Sequence, residues 1–151
     1  MSTTTGDSQK TIFSKILVAI DGSDASMDAA DYAISTSEQY NAELYALHVI
    51  RADVDLFGPH ETSEFMTTMR NEGEKYLNKV RLKANEKNIQ IKTEIISSTN
   101  IAGGIVDYAE ENKIDLIVIG TRGRTGFKKL LLGSVASHVV TYAHCPVLVV
   151  K

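Results

Sequence analysis

One cysteine, Cys145, stands in a chain of 151 residues. A lone thiol excludes an internal disulfide, and the expected setting is a reducing cytoplasm. No apolar run approaches the roughly 20 residues that a bilayer span needs, so no membrane partner is expected. The opening MSTTTGDSQK is polar and lacks the apolar segment of a secretory signal. Positive charge is not in excess: the formal net charge is −3. That disfavours a global polyanion-binding role, and with it nucleic acid, although a local basic patch stays open. Several sharp catalytic motifs are missing. There is no G-x-x-x-x-G-K-S/T phosphate loop, no G-x-G-x-x-G and no kinase residue set. His48, His60, His138 and His144 lack metal-ligand spacing, and no Ser–His–Asp motif is visible.

What is present is the balance of an ordinary globular chain, 43% hydrophobic and 23% charged, long enough to bury a core. Residues 1–12 are small and polar and read as a disordered lead; residues 13–151 read as one domain. Ile16 to Ile20 is a short apolar run that fits a buried strand, ended by Asp21-Gly22-Ser23-Asp24. Ser23 or Asp24 can cap the next helix, which carries Ala29, Ala30, Ala33 and Ile34 at helical spacing and ends near Tyr40-Asn41. Glu43 to Ile50 is the second strand. Residues 51–62, with Gly58-Pro59, read as a loop or insertion. A long helix follows from about Ser63 to Asn88, its buried stripe marked by Phe65, Met69, Gly73, Tyr76, Val80 and Ala84. Ile89 to Ser97 reads as the third strand. Thr99 or Asn100 then caps a helix through Glu111, weakened by Gly103-Gly104. Leu116 to Ile119 and Pro146 to Val150 are the last two strands. Between them Ser134 opens a helix with Val135, Ala136, Val139, Val140 and Ala143 on one face.

Strands alternating with helices in this way imply an α/β fold: a single doubly wound domain with a five-stranded parallel sheet and helices on both faces. Ligands of such sheets sit at the carboxyl ends of the strands, where the strand order reverses. The loop after the fourth strand is rich in glycine. Gly120 lets the chain leave the strand in a conformation other residues resist, Gly123 lets backbone approach a ligand, and Gly133 does so at a helix start. Ser134 can cap that helix and offer a hydroxyl to a phosphate, which the helix dipole also favours. The bland alternative is a set of turn glycines and a cap. Arg122, Arg124, Lys128 and Lys129 either screen phosphates or form a solvated loop. Asp21 is either a turn former or an acidic group facing the glycine loop. Cys145 has no evident base partner and reads as structural.

The stretch GTRGRTGFKKLLLGSVASHVV, followed by CPVLVVK, resembles the universal stress protein family. It is similar in particular to the ATP-binding branch, whose signature G-x2-G-x9-G-S/T is filled by Gly120, Gly123, Gly133 and Ser134. KILVAIDGSDAS resembles the first strand and acidic turn of that family, and ALHVI its second strand; the similarity covers about residues 13–151. The resemblance implies a Rossmann-like fold of the adenine nucleotide alpha-hydrolase kind and a site for ATP or AMP, with Mg²⁺ accompanying ATP. By that resemblance Ala19, Ile20 and Asp21 border adenosine and ribose, and Asp21 is nearest the phosphates or their metal. Val49 touches adenine. Gly120 lies beside ribose and phosphates, while Gly123, Gly133, Ser134 and Val135 cradle the phosphates and Arg122 adds charge. The resemblance also implies a homodimer through the last strand, whose apolar PVLVV suits a sheet edge that pairs with its copy.

Three functions compete at this point. The first is a regulatory module in stress response that binds an adenine nucleotide and changes its preference for a protein partner. The second is a slow ATPase or nucleotide hydrolase, for which the residues offer a cradle but no convincing attacking group. The third is a dimeric scaffold without ligand.

Overall fold

The computed structural model describes residues 12–52, 59–121 and 132–151. In chain order it contains β1 (Lys15–Ala19), α1 (Asp24–Tyr40), β2 (Glu43–Arg51), α2 (Pro59–Glu86), β3 (Ile91–Ser98), α3 (Ile101–Glu111), β4 (Leu116–Gly120), α4 (Ser134–Tyr142) and β5 (Val147–Val150). All pairings are parallel and the strand order is β3-β2-β1-β4-β5. The expected single doubly wound α/β domain is what forms. Among the described residues no helix is long and apolar enough to cross a membrane.

The order follows from burial. β1, β2 and β4 are apolar on both faces, with Ile16, Leu17, Val18, Leu44, Leu47, Ile117 and Val118 all but inaccessible, so they occupy the middle. β3 alternates half-buried with exposed residues and lies at an edge. Two apolar layers cover the sheet. On one face Ile16, Val18, Leu44 and Ala46 meet Ala29, Ala30 and Ala33 of α1 and Leu77, Val80 and Ala84 of α2. On the other, Leu17, Leu47, Ile117 and Ile119 meet Ile105 and Ala109 of α3 and Ala136 and Val139 of α4.

Boundaries differ from the sequence reading for identifiable reasons. The long helix begins at Pro59, inside the expected loop 51–62, because proline at a first helical position supplies the φ the helix needs and lacks only an N–H the helix does not use. It ends at Glu86, and Asn88 takes a left-handed φ of 57°. Ile89 then donates its N–H to Ala84 O at 2.9 Å, so it closes the helix and β3 starts two residues later than expected. α3 forms despite Gly103-Gly104, with Asn100 as its cap. Leu77 joins the buried stripe of α2, which sequence spacing had not marked. Val140 is 45% exposed rather than part of the buried face of α4. β5 starts at Val147; Pro146 contributes only its carbonyl, to Ile117 N–H at 3.0 Å. At the amino end of the sheet, Asp115 Oδ2 accepts from Ser14 N–H, Ser14 Oγ and Lys15 N–H at 2.7–2.9 Å. Burial opposes its charge, but these hydrogen bonds and the Lys15 charge prevail and hold its carboxyl below the usual range.

Candidate functional site

Three neighbouring strands deliver their carboxyl ends to one place. β1 leads into Ala19, Ile20 and Asp21, β2 into His48 to Arg51, and β4 into Ile119, Gly120 and Thr121. The chain runs from β1 toward β2 and β3 on one side, and from β4 toward β5 on the other, so the order reverses between β1 and β4. A cleft of about 690 Å³ opens there, a size suited to a small-molecule ligand. Ala19, Ile20, Asp21, Val49, Gly120, Gly133, Ser134 and Val135 all line it. Arg122 and Gly123, with Arg124, Lys128 and Lys129, lie outside the described residues.

The acidic turn is built by its own side chains. Asp21 Oδ1 accepts from Ser23 N–H at 2.9 Å and from Ser23 Oγ at 2.5 Å. Ser23 Oγ in turn accepts Ser26 N–H at 3.1 Å and caps α1, and Asp21 N–H donates to Ser26 Oγ at 3.3 Å. Asp21 is therefore a turn former, whatever else it does. Gly22 has φ +87°, and a Cβ there would fall 2.5 Å from the Tyr76 ring, so both backbone and neighbour require glycine. Asp21 is the one carboxylate among the described lining residues, and no group of three or more His, Cys, Asp or Glu among the described residues could hold a metal. That donor set fits only a hard cation that arrives with phosphate oxygens as its other ligands.

The opposite lip is the start of α4. Its N-cap is Gly133, in extended conformation and without a side chain to cap it, not Ser134 as sequence spacing expected. Gly133 spends its own N–H on Thr121 O at 2.7 Å, which ties the helix start to the end of β4. Ser137 is the first residue whose N–H returns to Gly133 O, at 2.9 Å. The N–H groups of Ser134, Val135 and Ala136 therefore have no partner within the helix, and all three residues line the cleft. α1 and α3, by contrast, are capped by Ser23 and Asn100. Gly120 also serves a purpose other than the expected one. Its φ is not positive; a Cβ there would lie 2.9 Å from Ala25 carbon and oxygen, so glycine lets α1 pack against the end of β4.

His48 was a weak signal in the sequence and is central in the structure. It is 8% exposed, lines the cleft, and donates Nδ1–H to Ile20 O at 2.7 Å. Its ring meets Tyr76 edge-on, 5.7 Å between centroids, and occupies the space a Cβ on Gly73 would need, 2.5 Å from His48 Cδ2. The legible clue was a polar residue amid the apolar ELYALHVI, since a buried polar group needs a partner. Most of the remaining wall is apolar, with Val49 and Ile119 on the sheet, Ile101 and Ile105 of α3, and Phe65 and Met69 of α2; Ser26, Arg51 and Thr121 are its polar members. The cleft thus joins an apolar slot to a row of amide donors.

A family model described as the universal stress protein family matches residues 13–151. A universal stress protein of Methanocaldococcus jannaschii is 42% identical over 142 residues, covering 93% of this chain and 83% of that protein. The universal stress protein YxiE of Bacillus subtilis is 40% identical, covering 93% and 100%. Among solved structures, universal stress protein UspA of Lactobacillus plantarum superposes with a TM-score of 0.85 at 28% identity, covering 92% of this chain and 98% of that one. The fold is shared with two further structures. One is a universal stress protein of Archaeoglobus fulgidus in complex with dAMP, with a TM-score of 0.70, 22% identity and coverage of 93% and 99%. The other is an Arabidopsis thaliana family protein with AMP bound, with a TM-score of 0.67, 19% identity and coverage of 91% of each chain.

Proposed function

The chain belongs to the universal stress protein family, and we propose that within it this protein is a regulatory module in stress response that binds an adenine nucleotide, ATP or AMP. The observation that carries this reading is the pairing of an apolar slot at the β1–β4 reversal with three partnerless amides at the start of α4. A purine and ribose suit the slot, and phosphate oxygens suit the amides and the helix dipole. Similarly folded family members hold dAMP and AMP; it is this chain's own cleft that carries the reading across. Ala19, Ile20 and Val49 border the nucleoside, Ser134 and Val135 hold phosphate, and Asp21 faces the phosphates or the Mg²⁺ that travels with ATP. Gly120 and Gly133 act indirectly, by setting the approach of α1 and the seat of α4. Arg122 and Gly123, outside the described residues, enter this reading only as positions the family resemblance assigns to phosphate binding.

Occupancy acts by favouring one partner-binding state over another, which requires unequal affinity for the two states. The protein works as a homodimer through β5, the sheet edge on which Leu148 is 37% exposed, with exposed Val140 and Tyr142 on the adjoining α4. The decisive experiment is to purify the protein without added nucleotide, denature it, and identify what is released by mass analysis. Release of adenine nucleotide, or micromolar binding of ATP or AMP by calorimetry, supports the reading; neither result would leave only a scaffold. Multiple turnover of ATP by pure protein would shift the reading to a hydrolase.

A further inference from the structure

Strand order gives the cleft two ends. β2 and β4 flank β1, two strand spacings or about 10 Å apart, and the partnerless amides of α4 lie beyond β4. The far end, beside β2, is walled by α2. Gly73 of that helix lies against His48, three residues before the last residue of β2. Met69 and Phe65 follow at one and two turns toward the start of α2, which carries Phe65 about 12 Å further along the helix axis. That is beyond the roughly 10 Å of β2 remaining after His48. Both side chains are half-buried and line the cleft. The contact that lets α2 come so close is the fit of the His48 ring into the space left by Gly73.

We infer that Met69 and Phe65 form the base-recognising wall of the cleft and set its affinity for the nucleoside, independently of how many phosphates follow. This rests on the nucleotide reading above. A thioether and an aromatic ring offer polarizable, apolar surface to a flat purine and leave phosphate recognition to the other end.

The test is calorimetric titration of the full chain with adenosine, AMP and ATP. Met69→Ala and Phe65→Ala should each weaken all three ligands by the same factor, about tenfold. Met69→Leu should restore affinity, and Met69→Gln, which keeps length but adds an amide, should not. Thermal melts confirm that each variant compared is folded. Unchanged affinities in folded variants, or a loss confined to ATP, overturn the inference while leaving the nucleotide reading intact. Wild-type protein that binds none of the three overturns the nucleotide reading and this inference with it.

Discussion

The His48 imidazole gives its Nδ1 proton to the main-chain oxygen of Ile20, 2.7 Å away. A carbonyl can only accept, so the tautomer is fixed. One side chain on β2 thereby holds the carbonyl of the residue that follows β1, and its ring sets the distance of α2 through Gly73 and Tyr76. Tyr76 in turn covers Gly22 of the acidic turn. The cleft floor, its acidic lip and its α2 wall are one packed unit.

Gly73→Ala distinguishes that unit from ordinary helix behaviour. Helix propensity alone would raise stability by about 1 kcal/mol. The new Cβ would instead stand 2.5 Å from His48 Cδ2, in a ring held by its hydrogen bond. Net destabilisation of about 1–3 kcal/mol by urea titration is expected. A more stable variant would show that the ring moves aside freely.

Ser134→Pro should remove one amide without removing the helix. Proline is tolerated at a first helical position, and Gly133 before it already has φ −64° and ψ 163°, a conformation compatible with a following proline. AMP and ATP affinity should fall about 10- to 150-fold, the worth of one hydrogen bond to a charged oxygen, while adenosine affinity holds. Ser134→Ala, which keeps the amide, separates the hydroxyl's share. Equal loss for adenosine would remove this amide from phosphate binding.

Gly120→Ala should strain the contact between α1 and the end of β4, because its Cβ would meet the Ala25 main chain at 2.9 Å. A loss of roughly 1–3 kcal/mol in stability is expected, with weaker nucleotide binding as the two lips are pushed apart. Wild-type stability in chemical denaturation would refute the close approach.

Asp115 predicts an acid limb in stability. Its carboxyl is held below its usual range in the folded chain, so its contribution is present above the unfolded value near pH 4 and is lost as pH falls through the lower folded value. At pH 7, Asp115→Asn should cost about 1–3 kcal/mol through its bonds to Ser14 and Lys15. The gap between variant and wild type should narrow as pH falls below the unfolded value and close once the folded carboxyl is protonated. A gap that does not depend on pH would assign the effect to shape alone.

Leu148→Asp places a charge on the outward face of β5. Sedimentation equilibrium should show monomer with unchanged circular dichroism; a persisting dimer would move the interface elsewhere.

Much of this was legible in the sequence because burial dictates it. The apolar runs of β1 and β4, the alternation of β3 and the alanine face of α1 each admit one placement. The family resemblance also named eight residues that converge on the cleft. The rest depends on contacts that spacing does not encode. Gly120 and Gly73 are glycines because of Ala25 and His48, which approach from elsewhere in the chain. Ser134 sits one residue inside its helix because Gly133 is pinned to Thr121. His48 passed as an unremarkable histidine because its partner, Ile20 O, is a main-chain atom on another strand.

The two borders of the sheet are unlike. β3 carries exposed Lys92, which lies over the Tyr45 ring, and exposed Glu94, which accepts from the Tyr108 hydroxyl at 2.9 Å, whereas β5 offers only Val147 to Val150. Charged side chains on a border strand deter a further chain from adding to it. Under the proposed pairing through β5, growth is limited to one side, so a symmetric pair would close at two copies and leave no matching border for a third.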